Sequence, residues 1–105
     1  MGDFNSNLIW DVLKNRHPTD LNHSALLDRL KGHRLVSSYH TFYGEQQGKE
    51  TRPTYYLLWN EKKPYHIDYC FIPDGWVNRL KNVEIGNYLD WKDYSDHRPL
   101  IVDIL

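Results

Sequence analysis

Three short segments of this 105-residue chain concentrate residue types that carry out acid–base and metal chemistry. In the first segment, Asp3 and Asn5 stand two positions apart and share one side of an extended backbone. In the second, Asp68 interrupts an apolar run, where a carboxylate needs a donor, a cation or an exposed strand end. In the third, Asp96 and His97 directly precede an apolar final strand. The segments read Gly2-Asp3-Phe4-Asn5, His66-Ile67-Asp68-Tyr69 and Ser95-Asp96-His97-Arg98-Pro99.

These residues together provide the equipment for phosphoester hydrolysis. A carboxylate such as Asp68 orients an imidazole such as His97 for proton transfer. Asp3, Asp96 and Asn5 offer the oxygen ligands that Mg²⁺ or Mn²⁺ prefers. Such a cation neutralises a phosphate while a positioned water attacks phosphorus in line.

Other interpretations of the same residues stay open. Each segment alone also fits an ordinary turn, cap or edge strand. A serine triad of Ser95, His97 and Asp68 would lack the Gly-x-Ser-x-Gly elbow. Zinc held by His66 with Asp68, or by Asp96 with His97, would lack the ligand spacing of a structural zinc site.

Composition bounds the class of protein. Thirteen Lys and Arg against fourteen Asp and Glu give a net charge of −1, which excludes a strongly basic nucleic-acid clamp. Mean hydropathy is −0.73, and the apolar runs are far shorter than the ~20 residues of a membrane span. Cys70 is the single cysteine, so no internal disulfide forms. No signal peptide is visible, and we expect a cytoplasmic protein.

The elements that must position these residues alternate between helix and strand. We predict helices at 25–31 and 76–80, a strand or extended arm at 35–43, and strands at 54–59, 65–72, 83–85 and 99–105. Residues 60–64 connect a hairpin, and the final strand is expected to be buried on both faces. We expect His23, His33 and His40 at the surface or at helix ends, and the aromatic cluster that includes Trp59, Trp76 and Trp91 in the core. That cluster could instead stack on bases.

The ordered set of three segments resembles the endonuclease/exonuclease/phosphatase family, which includes DNase I-like nucleases, abasic-site endonucleases, sphingomyelinases and inositol phosphate phosphatases. The resemblance implies an α/β (α+β) fold, namely half of a four-layer sandwich with a mostly antiparallel mixed sheet and one or two flanking helices. Residues 1–105 match only the C-terminal part of that domain, so the family's main metal-binding glutamate and an early asparagine are missing. We therefore expect weak metal binding, little or no activity, and self-association through an exposed sheet face.

The resemblance also implies roles for single residues. Asp3 looks like the carboxylate that aligns or deprotonates the attacking water, and Asn5 like the amide that holds the phosphate or the metal shell. His97 looks like the catalytic histidine, Asp68 like its partner, and Asp96 like a metal-associated or histidine-supporting acid.

The predicted function of the full-length protein is Mg²⁺- or Mn²⁺-dependent hydrolysis of a phosphoester. A nuclease is the leading prediction. A phosphatase acting on lipid, inositol or sugar phosphates and a non-catalytic binding module are the alternatives. Trp10 follows Asn5 closely and is the best candidate for an aromatic side chain that faces the substrate.

Overall fold

The fold consists of short antiparallel strand pairs and a few short helices, an α+β arrangement. The computed structural model of the protein describes residues 2–4, 7 and 23–105. The strands are β1 (Gly2–Asp3), β2 (Leu35–Ser37), β3 (Tyr55–Tyr56), β4 (Pro64–Tyr65), β5 (Asp68–Tyr69), β6 (Phe71–Pro73), β7 (Leu80–Ile85) and β8 (Leu100–Ile104). The α-helices are α1 (His23–Gly32), α2 (Ser38–Tyr43) and α3 (Tyr88–Trp91), and two 3₁₀ helices cover Leu57–Trp59 and Asp74–Arg79.

The described strands pair two by two: β1 with β5, β2 with β6, β3 with β4, and β7 with β8, all antiparallel. The long strand predicted over 65–72 is broken into three pieces. Its first break has a local cause, because the backbone N–H groups of Ile67 and Asp68 donate to the Thr54 hydroxyl at 3.0 and 3.1 Å. At these two positions a side-chain hydroxyl therefore takes the place of a backbone carbonyl acceptor.

The helices follow from capping residues that the sequence displays. Helix α1 covers the predicted 25–31 and carries basic residues in its last turn, where they face the negative end of the helix dipole. The segment 35–43 is partly strand and partly helix. It changes at Ser37, whose side chain accepts from the N–H of His40 as an N-cap, and α2 ends at Gly44 with φ of 65°.

The core is built from aromatic and β-branched side chains. Its buried members are Tyr39, Tyr56, Ile67, Tyr69, Ile72 and Val83. The prediction that the final strand is buried on both faces is wrong, because β8 alternates half-buried and exposed positions and leaves Ile101 48% exposed. Along the described chain β8 pairs with β7 alone, so its other edge has no strand partner among the described residues.

Three tryptophans expected in the core lie at the surface. Trp59, Trp76 and Trp91 are 52%, 42% and 39% exposed. Tyrosines take the interior instead, since Tyr39 and Tyr69 are completely buried. No helix within the described residues is long and apolar enough to cross a lipid bilayer.

Candidate active site

Strand pairing brings two of the predicted carboxylates face to face. Strands β1 and β5 pair so that Asp3 lies directly opposite Asp68. The pair is continued by a hydrogen bond from the N–H of Phe4 to the carbonyl of Ile67 at 3.0 Å. Like charges directly opposite each other on paired strands repel, so this register favours a positive group between the two carboxylates.

The imidazole of His97 lies between these two carboxylates. Its Nδ1 lies 2.8 Å from an Asp68 carboxylate oxygen, and its Nε2 lies 3.6 Å from a carboxylate oxygen of Asp3. Since an ionised carboxylate only accepts, Nδ1 carries the hydrogen that bonds to Asp68. The Nε2 atom consequently faces Asp3, at a distance too long for a direct hydrogen bond. The predicted proximity of Asp3, Asp68 and His97 is confirmed, although their catalytic roles stay predictions.

The hairpin strand β3 holds the imidazole from the side. Tyr55 forms an isolated antiparallel bridge with His97, and the two ring centroids lie 4.8 Å apart. The next residue, Tyr56, donates its backbone N–H to the carbonyl of Asp96 at 2.8 Å. Backbone contacts from Tyr55 and Tyr56 therefore fix the loop that carries His97 against strand β3.

Thr54 connects the backbone segment that carries Asp68 to the backbone segment that carries His97. Its buried hydroxyl accepts the N–H groups of Ile67 and Asp68, and its carbonyl accepts the N–H of Arg98 at 2.7 Å. One residue thus holds the backbone under Asp68 and the backbone beside His97. Sequence reasoning missed Thr54, because a lone threonine after proline carries no local signal of this role.

Arg98 holds the histidine loop from inside the protein. Its residue is 3% exposed, and its guanidinium donates to the carbonyls of Ser95, His97 and Tyr88, each at 3.0 Å. The same group lies 4.7 Å from the Tyr56 ring centroid and 5.0 Å from that of Tyr88, in cation–π range. Arg98 therefore ties helix α3 to the loop of His97, a role that its position beside His97 in the third segment could have suggested.

The other predicted site residues have different outcomes. Asn5 and Trp10 lie outside the described residues. Asp96 is half-buried and contributes its backbone carbonyl to Tyr56, and it is not a member of the Asp3, Asp68 and His97 group. Ser95 accepts the backbone N–H of His97 at 3.0 Å, a capping contact that does not form the serine–imidazole bond of a triad.

The zinc alternative centred on His66 does not fit the geometry. The Nδ1 of His66 lies 2.9 Å from the carbonyl of Arg52, and burial lowers the pKa of this imidazole. Among the described residues, the group with metal-ligand geometry is Asp3, Asp68 and His97, whose ligand atoms lie within 4.8 Å of one another.

That group fits a hard cation through its more exposed carboxylate. The Asp3 side chain is 46% exposed, whereas that of Asp68 is 14% exposed and is bonded to His97. Mg²⁺ commonly takes one or two protein carboxylates and completes its shell with water and substrate phosphate oxygens. Asp3 meets the protein side of this requirement, and the exposed position leaves room for the remaining ligands.

A second polar cluster, which the sequence analysis did not predict, lies in the interior and contacts the strand that carries Asp68. Glu50 accepts from His40 at 2.6 Å, from Asn7 at 3.0 Å and from the N–H of Gly48 at 3.0 Å. Burial opposes ionisation of Glu50, but these hydrogen bonds outweigh it and lower its pKa to about 2. His23 lies at a helix end as expected, since it is the first residue of α1, but it is completely buried, and the His40 side chain within α2 is only 9% exposed.

This cluster is connected to the strand that carries Asp68. Asn7 donates to the carbonyl of His66 at 2.8 Å, two residues before Asp68. The hydroxyl of Tyr69, one residue after Asp68, donates to the same carbonyl at 3.1 Å. The backbone just before Asp68 is therefore held by two buried polar side chains.

Comparison of the chain with protein-family models, with curated proteins and with solved structures gives no match. A function is therefore inferred from the geometry of Asp3, Asp68 and His97.

Proposed function

We propose that the protein hydrolyses a phosphoester with the help of Mg²⁺ or Mn²⁺, and that a phosphodiester of a nucleic acid is the leading substrate class. The observation that carries this proposal is the imidazole of His97 placed between two carboxylates, 2.8 Å from Asp68 and 3.6 Å from Asp3. The resemblance of the three segments to the endonuclease/exonuclease/phosphatase family supports the same reaction. It also supports the view that the α+β fold is part of a four-layer sandwich.

The chemistry follows from the two sides of the imidazole. Asp68 accepts the Nδ1 hydrogen, which fixes the tautomer of a neutral His97 and leaves a lone pair on Nε2. A water beside Nε2 and the Asp3 carboxylate can hydrogen-bond to both. The water oxygen attacks phosphorus as the bond to the leaving oxygen breaks. The proton of the water then passes to Nε2 of His97 or to the Asp3 carboxylate.

A divalent cation held by Asp3 would supply charge neutralisation to the phosphate when bound. The register that opposes Asp3 and Asp68 favours such a positive charge even before substrate arrives. Arg98 does not serve this purpose, because its guanidinium is buried and bonded to three backbone carbonyls.

Site accessibility is compatible with a large substrate. The side chains of Asp3 and His97 are 46% and 33% exposed, so the reacting groups lie at the surface and not in a closed cavity. A phosphodiester within a polymer can reach such a site, whereas a site built for a small molecule buries most of its ligand.

The test is an activity assay on the natural protein. The substrates are a single-stranded oligonucleotide, a duplex, inositol phosphates and sphingomyelin, each with Mg²⁺, with Mn²⁺ and with EDTA. We expect metal-dependent cleavage that falls by about 10²- to 10⁴-fold in His97→Ala and in Asp68→Asn. Asp93→Asn and His33→Ala, both at exposed positions, are the matched controls and should retain activity.

Each contrary outcome has a defined meaning. Release of phosphate from a small ester, if it is abolished in His97→Ala, would show that the activity is that of a phosphatase and not that of a nuclease. A folded protein without activity on any substrate, or equal activity in His97→Ala and wild type, would overturn the proposed hydrolysis and favour a binding module.

A further inference from the structure

The hairpin that holds His97 ends in an exposed apolar and basic tip. We define this tip as residues 57–63, which connect β3 to β4. Leu58 is 74% exposed and Trp59 is 52% exposed. Lys62 and Lys63 follow on the same turn, and both are exposed.

The tip holds its apolar side chains outward at a conformational cost. Leu58 and Trp59 have φ of 54° and 60°, a left-handed conformation that bulky residues rarely adopt. A turn that only had to reverse the chain would use glycine or asparagine at these positions. Strained residues of this kind concentrate at ligand-contacting segments.

Hydrogen bonds make the tip a defined structure. The carbonyl of Lys63 accepts from the N–H of Leu57 at 3.0 Å, and Lys63 donates its own N–H to the carbonyl of Asn60 at 2.9 Å. Asn60 in turn donates its N–H to the carbonyl of Leu57 at 3.0 Å, and its side chain accepts the N–H of Lys62 at 2.9 Å. Trp59 is therefore presented from a closed turn, which reduces the entropic cost of its contact with a partner.

The tip lies close to the candidate active site. Tyr55, whose ring contacts His97, precedes Trp59 by four residues. Four residues of extended chain span at most ~14 Å. A fully stacked nucleic-acid strand advances ~3.4 Å per nucleotide, so about four nucleotides cover the distance, and a more extended single strand needs fewer.

We propose that this tip is a contact surface for single-stranded nucleic acid, with Trp59 stacked on a base while a phosphodiester of the same strand occupies the His97 site. The inference rests on the proposed function and specifies its substrate class. An indole face stacks on any base, and the ammonium groups of Lys62 and Lys63 meet the backbone phosphates. Glu61 leaves the tip a net charge of +1, which fits one local backbone contact in a chain that is near neutral overall.

A membrane surface is the competing partner for an exposed Leu–Trp pair. A single myristoyl chain gives only marginal membrane binding, and two side chains bury less apolar surface than that. The short distance to a phosphoester-cleaving site also favours a partner that reaches both places at once. The tip therefore fits a nucleic-acid strand better than a bilayer.

The test measures binding without catalysis. A fluorescently labelled 12-nucleotide single strand is titrated with the natural protein in EDTA, and anisotropy gives the Kd. We expect Trp59→Ala to weaken binding by about 5- to 150-fold, which is the range for removal of one base–aromatic stack. Trp59→Phe should retain most of the affinity, and Trp76→Ala, at another exposed tryptophan, is the matched control.

The lysines have a separate signature. In Lys62→Gln/Lys63→Gln the slope of log Kd against log salt should fall by about 0.7 for each phosphate that the two ammonium groups neutralise in the wild type. Equal affinity of Trp59→Ala and wild type, or weakening in Trp76→Ala as large as in Trp59→Ala, would overturn the inference. Trp59-dependent sedimentation with phosphatidylcholine–phosphatidylserine vesicles, without oligonucleotide binding, would overturn it in favour of a membrane contact.

The two proposals can fail separately. Trp59-dependent oligonucleotide binding without metal-dependent cleavage would support the tip and overturn the hydrolysis. Metal-dependent cleavage of an oligonucleotide with an unchanged Kd in Trp59→Ala would support the proposed hydrolysis and overturn the proposed binding role of the tip.

Discussion

The buried Glu50 carboxylate allows a quantitative test of the interior polar cluster. Both of its oxygens accept hydrogen bonds, one from Asn7 and the other from His40 and the N–H of Gly48. Glu50→Gln removes the charge and turns one acceptor into a donor that faces another donor. The side chain is 5% exposed, so water cannot compensate for the mismatch.

The stability that ionised Glu50 contributes follows from its pKa. The change from an ordinary value of 4.5 to about 2 corresponds to roughly 3 kcal/mol of stability, at 1.36 kcal/mol per pH unit. Because the folded-state pKa is lowered, this stability is present above pH 4.5 and disappears as the pH falls towards 2. Near pH 3 only about 1 kcal/mol should remain.

The assay is urea unfolding followed by circular dichroism at pH 7, 5 and 3. We expect the free energy of unfolding of Glu50→Gln to lie about 3 kcal/mol below that of wild type at pH 7 and only about 1 kcal/mol below it at pH 3. With urea slopes of about 1–3 kcal/mol/M, the midpoint at pH 7 should fall by about 1–3 M. Glu61→Gln, at an exposed glutamate, should leave the midpoint unchanged.

An equal difference between Glu50→Gln and wild type at pH 7 and pH 3 would refute a stabilising charge on Glu50. Such a result would assign the destabilisation to packing and not to an ionised carboxylate. A difference below about 0.5 kcal/mol at pH 7 would show that the hydrogen bonds from His40 and Asn7 add no net stability beyond the cost of burial.

Three further substitutions test the scaffold of the site. Thr54→Val removes the acceptor of the Ile67 and Asp68 N–H groups, so we expect the free energy of unfolding in urea to fall by about 2–6 kcal/mol. We also expect the proton NMR signal of the His97 Nδ1–H group that is bonded to Asp68 to disappear. Gly86→Ala places a Cβ 2.7 Å from the Pro99 ring and 2.7 Å from the Trp91 indole nitrogen, and overpacking should lower the free energy of unfolding by about 1–3 kcal/mol. Arg98→Lys cannot reach three carbonyls with one ammonium, and a thermal melt should show a Tm lower by several degrees, consistent with a destabilisation of at least about 1 kcal/mol.

Each substitution has a control that separates the stated cause from a general effect. Thr54→Ser keeps the hydroxyl and should restore most of the stability and the His97 signal. Gly75→Ala introduces a Cβ with no atom within 4 Å and should be neutral. Arg29→Lys, on the exposed face of α1, should not change the Tm. A control that is destabilised as much as its partner would contradict the corresponding explanation.

Local sequence patterns were sufficient to predict the residue types of the candidate site and several of the elements that carry them. A carboxylate inside an apolar run and an imidazole before the final strand predicted the contact of Asp68 with His97. The hairpin over 54–65 and helix α1 followed from turn, cap and stop residues. These features are readable because each depends on residues that are neighbours in the chain or on a side chain that cannot be buried alone.

Which residues hold the candidate site in place depends on contacts that form only in the folded protein. Thr54 and Glu50 act through partners that are distant in the chain, such as Asp68, 14 positions from Thr54, and Asn7, 43 positions from Glu50. Tertiary structure also decided that His23 is buried while Trp59 is exposed, against their residue types. Burial and polar satisfaction are properties of how distant segments meet, and a sequence read as local patterns does not contain them.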